Sequence, residues 1–190
     1  MAGKRGNDGK PAKAPGDELL WLETYFIVFP SSRRPTLAQV ERAITQANPR
    51  FKLENLAADD DGYFASVLVE SPEDSAAVEV SYETGEAVIE QNVAWARQIR
   101  KRITPAQHQR LASADARLDV AHYERVQGGE VSAERDDARD ERFADDLDDE
   151  SLDDELAMET FDPTCLLTVV DALAALTQGL TFDPAAGELV

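Results

Sequence analysis

The side chains with the most chemical potential are few: two histidines, one cysteine and a large excess of carboxylates. His122 prolongs the apolar alternation of Leu118 and Val120, so it is expected at the end of a strand with its ring turned inward. An imidazole there becomes a general base if carboxylates converge on it. A hydrogen-bonded structural histidine is the simpler expectation. His108 sits in the polar helical stretch Ala106-Gln107-His108-Gln109 and is expected in solvent. Cys165 falls in the first turn of a C-terminal helix, where the helix dipole favours a thiolate. It has no histidine near it in sequence, and its apolar surroundings suit a small buried thiol.

The remaining motifs fail on spacing. Asp59-Asp60-Asp61-Gly62 invites a calcium reading, but an EF-hand loop with Gly62 at its sixth position needs an oxygen ligand at Ala57 and a glutamate at Leu68. A hairpin turn with Gly62 at a positive φ fits better. The glycines and lysines of 3–10 lack phosphate-loop spacing and follow no strand. No serine lies in a Gly-x-Ser-x-Gly elbow. No catalytic residue, metal ligand or cofactor is therefore assigned.

One group of cations stands out. Arg97, Arg100, Lys101 and Arg102, followed by Arg110, gather where a helix ends and the next one runs. Cations there complement the helix dipole, each by about 0.3–1 kcal/mol. They also form the candidate binding surface of this chain. Nucleic acid is a poor partner for it, because the formal net charge is −19 and phosphate affinity comes chiefly from Lys and Arg. The segment Tyr63-Phe64-Ala65-Ser66-Val67 also lacks the aromatic and basic run of an RNA-recognition motif.

The elements that must position these residues follow from periodicity. A strand is expected over 22–29, apolar on both faces in its second half, as in a strand covered on both sides. Thr36-Leu37-Ala38-Gln39 is a capping box for a helix with Leu37, Val40, Ile44 and Ala47 on one stripe. Strands over 51–58 and 63–69 flank the aspartate turn, and 77–83 alternates as a half-exposed strand. A helix over 86–102, a short one from Thr104-Pro105 to about Ala112, and a strand over 116–123 complete the first part. Near the end, Asp162 is the expected N-cap of a helix with Pro163 at its first position, Phe161 stapled onto Leu166 and Gly179 closing it. A hairpin over 180–190 follows.

The implied fold class is α+β: an antiparallel sheet with helices packed on one face, plus the C-terminal helix and short hairpin. A ferredoxin-like β-α-β-β-α-β order is one arrangement; a meander is the better description if the strand at 77–83 is real. Residues 1–17 read as a disordered basic tail, 18–126 as the α+β domain, 127–160 as an acidic flexible linker, and 161–190 as a helix and hairpin packed on the same domain. The linker holds fifteen acidic and three basic side chains between 130 and 159. Such a block repels itself and buries too little to offset its ordering entropy.

No run approaches the about 20 apolar residues of a membrane span, and a single cysteine fits a reducing compartment, so a cytoplasmic protein is expected. The functional expectation is a non-enzymatic interaction or regulatory protein. It has an acidic arm and a small basic patch available to a macromolecular partner, most simply another protein. The competing expectation is an enzyme whose carboxylate and His122 site assembles only in the fold.

Overall fold

A computed structural model describes residues 17–127 and 163–190. The tail, the acidic linker, Phe161 and Asp162 lie outside these residues, except that Asp17 and Gln127 already belong to strands. The order is β1 (Asp17–Phe29), a single 3-10 turn (Ser31–Arg33), α1 (Leu37–Ala47), β2 (Lys52–Ala58), β3 (Phe64–Ser71), β4 (Ala76–Thr84), α2 (Glu86–Ile99), α3 (Pro105–Ser113), β5 (Ala116–Gln127), α4 (Thr164–Thr177), β6 (Leu180–Asp183) and β7 (Glu188–Leu189). The strands form one seven-stranded sheet in the order β2-β3-β4-β5-β1-β6-β7, every neighbouring pair antiparallel. The fold is α+β.

The ferredoxin-like order is not the one formed. That topology needs crossovers between parallel strands, whereas here α2 and α3 connect β4 to its own antiparallel neighbour β5. The strand at Ala76–Thr84 is real and continues a β2-β3-β4 meander, as its alternation required.

The helices do not all lie on one face, which corrects the second expectation. Ile27 and Phe29 of β1 enter one core with Val67, Val69, Val78, Val80, Leu118, Val120 and residues of α1 and α4. Val28, between them, enters a second core with Ala96 and Ile99 of α2, Leu111 of α3 and Phe182 of β6. Successive side chains of a strand alternate faces, so a strand apolar on both sides needs cover on both. The second core is aromatic: Trp95 stacks between Phe26 at 5.0 Å and Phe182 at 4.4 Å. The Arg117 guanidinium lies 4.4 Å over Phe26 while bonded to Asp119 and Gln91.

Local chemistry explains the element ends. Thr36 and Gln39 form the capping box of α1, and Thr104 and Gln107 form a second one on α3, with Pro105 in its first turn. α2 ends at Ile99, so Arg100 to Arg102 belong to the turn after it. α4 begins at Thr164, with Pro163 as its N-cap. Its left-handed cap residue is Gln178 (φ 51°), not Gly179. Gly179 is needed for another reason: a Cβ there would stand 2.5 Å from Ile27 Cγ2 and 3.2 Å from the Val28 carbonyl. The helix and β1 meet too closely for a side chain.

Candidate functional site

The basic group is drawn out along the C-terminal hairpin. Arg110 of α3 donates to the Gln178 carbonyl at 2.7 Å, where α4 hands over to β6. Arg102 reaches the Gly187 carbonyl in the β6–β7 turn at 3.5 Å. Both guanidiniums therefore satisfy backbone acceptors of the segment that returns to the sheet. Arg97, Arg100 and Lys101 are exposed and make no ion pair with any described residue. Arg110 also lines a hollow of about 170 Å³ with Arg33, Ser113, Pro30 and Gln178.

The aspartate turn is a folded hairpin loop. Asp59 accepts from the amides of Asp61 (3.1 Å) and Tyr63 (2.9 Å) and pairs with Arg34 at 2.7 Å, while Gly62 takes φ 82°. Arg34 is itself a fixed part of the fold. It donates twice to the Phe64 carbonyl and lies 4.0 Å over Tyr82. Among the described residues no group of three His, Cys, Asp or Glu side chains is arranged to hold a metal ion.

His122 is 1% exposed and points into the core that carries α4. Burial pulls its pKa below the ordinary histidine value. Its strand partner on β1 is Glu23, whose Oε1 lies 3.8 Å from Nδ1. Two residues along β1, burial first and the neighbouring Asp183 carboxylate second raise the pKa of the Tyr25 hydroxyl. Burial first, and Asp183 second, hold the Glu23 carboxyl above its usual range. His122 is thus brought beside one carboxylate, Glu23, but the imidazole itself is closed to solvent. Cys165 is equally buried, in the same core. His108 is only partly covered.

Among the described residues, three consecutive apolar side chains are open at the end of the β1–β5 ribbon. Leu19 is 39%, Leu20 53% and Trp21 58% exposed. Trp21 pairs with Tyr123 across the ribbon and anchors its indole N–H on Thr24 Oγ1 at 3.1 Å. Leu19 and Tyr123 also line a hollow of about 360 Å³ with Ser66, Leu68, Glu79 and Asn55, on the part of the sheet that α2 and α3 leave uncovered. A bulge at Leu22 separates this end from Glu23 and Tyr25.

Sequence reasoning started the strand at residue 22 and missed these three residues. The signal was present as Leu19-Leu20-Trp21-Leu22, four consecutive apolar residues leading straight into the doubly apolar strand.

Compared with known family models, curated proteins and solved structures, the chain shows no match. No helix among the described residues is long and apolar enough to cross a membrane.

Proposed function

We propose that this chain is a non-enzymatic interaction protein that engages a macromolecular partner, a protein, through the end of the β1–β5 ribbon. The observation that carries the reading is the exposure of Leu19, Leu20 and Trp21, consecutive residues at the open end of β1. Scattered exposed leucines need no explanation, but an exposed aromatic beside two leucines has the composition of an interface centre. The burial of His122 supports binding over catalysis, since a general base must reach a substrate proton. Arg97, Arg100 and Lys101 offer a second contact to an acidic partner surface, with the acidic segment 127–160 as a regulatory arm. A cytoplasmic location fits this reading, on the single cysteine and the lack of any long apolar run.

The test is quantitative affinity capture from the native host with the full chain and with a Leu20→Ser, Trp21→Ser double variant. The variant's fold is first checked by circular dichroism and melting temperature. Proteins bound by the wild type and lost by the variant are the expected result. An identical captured set would refute the assignment of the ribbon as the contact.

A further inference from the structure

β1 outruns the strand beside it. β6 meets β1 only at Phe26, Ile27 and Val28, so among the described residues the edge from Asp17 to Tyr25 carries no neighbouring strand. In an antiparallel pairing, alternate residues turn both N–H and C=O toward the same edge. This stretch therefore presents a row of hydrogen-bonding groups, the kind of template on which another chain adds as a strand.

Two further observations say what would add there. The first is that the apolar side chains beside the edge lie on both faces of the ribbon. Leu19 and Trp21 stand on the face of Arg125 and Tyr123, and Leu20 stands on the face of Glu124 and His122. A helix laid on either face would leave the other uncovered. An element in the plane of the sheet reaches both, because its alternate side chains fall on opposite faces.

The second observation is charge. Glu23 and Asp183 stand where β6 ends, near enough for Asp183 to disfavour ionisation of Glu23. Among the described residues no lysine or arginine pairs with either. Glu79 and Glu124 flank the ribbon, and the nearby cation, Arg125, is bonded to Glu70.

We propose that the open edge of β1 is a strand-addition site for an extended protein segment of alternating apolar and basic residues, with one lysine or arginine seated between Glu23 and Asp183. This rests on the reading of the chain as an interaction protein and adds the kind of partner. A second copy of this chain is the poorer occupant: the stretch from Leu19 to Tyr25 laid antiparallel on itself brings a second Glu23 and no cation. The bulge at Leu22 also shortens the regular run on either side of it, which suits a short peptide segment more than a long strand.

The full chain is titrated with a fluorescent peptide of about nine residues that alternates leucine and lysine. Two relatives accompany it: the same peptide N-methylated at alternate residues, and one with glutamate in place of lysine. Saturable binding of the lysine peptide is expected, with binding at least about tenfold weaker for the N-methylated peptide, which lacks the edge donors. The glutamate peptide should not bind. Glu23→Gln should weaken the lysine peptide by about tenfold with an unchanged circular dichroism spectrum, and amide exchange over residues 19–25 should slow in the complex.

Equal binding of the N-methylated peptide, or unchanged amide exchange there, overturns strand addition. The interaction reading itself would still stand if Leu20→Ser, Trp21→Ser removes a host partner. A Trp21-dependent dimer that competes with the peptide would assign the edge to a second copy and would also overturn the proposal.

Discussion

Gly179 and Gln178 have exchanged the roles that sequence preference assigns them. The left-handed cap goes to Gln178, which pays the Cβ penalty, and the neighbouring glycine goes to the close approach of helix and β1. Two opposite outcomes follow for small changes. Gly179→Ala should destabilise by about 1–3 kcal/mol, because Ile27 and the Val28 carbonyl are fixed in the core and sheet. Gln178→Gly should stabilise by about 1 kcal/mol, provided the Arg110 contact to its carbonyl persists. Urea midpoints at constant slope check both. His122 carries a pH signature of the same kind. Its folded pKa lies below the ordinary value of 6.5, so the unfolded chain takes up the proton first as pH falls. Its contribution is complete above that value and is lost as pH descends toward the folded pKa. Glu23 acts in the opposite sense, since a raised carboxyl pKa favours the folded state as acid is added. The loss of stability between about pH 7.5 and about pH 5.5 should therefore be smaller in His122→Gln than in the wild type. An equal loss in both would show that His122 is not the group responsible.

At the scale of elements, what was legible was what periodicity and caps encode locally. The capping box at Thr36 and Gln39, the alternation of β4 and the proline at the start of α3 all stand where local preference puts them. What was not legible was which face of β1 belongs to which helices. Residues 25–29 announced two apolar faces, yet nothing local says that α2 and α3 return to the second face while α1 and α4 hold the first. The candidate contacts divide in the same way. The cations near the end of α2 were readable as a cluster in sequence. The pairing of Arg110 with the carbonyl at the end of α4, and of Arg102 with one in the β6–β7 turn, depends on a chain reversal across more than sixty residues, which no local pattern records. That hairpin is tied into the fold through Phe182, stacked on Trp95 in the second core. Phe182→Ala should cost about 3–5 kcal/mol, and Leu173→Ala on α4 about 2–5 kcal/mol in the first core. If Phe182→Ala leaves both the melting temperature and the Trp95 fluorescence unchanged, the hairpin is not part of the cooperative unit.

For the whole molecule the governing quantity is charge. The net charge is −19, yet Arg97, Arg100 and Lys101 stand exposed and unpaired among the described residues. Three cations in such a chain have little polyanion affinity, because the field of the whole protein opposes approach. The largest single source of that field is the segment 130–159, with its excess of twelve acidic charges. In sequence it follows these cations by α3, β5 and a short connection. On the proposed reading, the acidic segment competes for the same cations that an acidic partner would use. Each such contact is worth only about 0–1 kcal/mol, so the competition acts through many weak contacts and is sensitive to salt. Deleting residues 134–155 should make the protein bind heparin resin at about 50 mM salt and release it by about 300 mM. Changing Arg97, Arg100 and Lys101 to alanine in the deleted chain should abolish the gain, which separates masking of these cations from a general loss of negative charge. If the triple change leaves retention intact, the arm acts through net charge alone and the three cations are no binding surface.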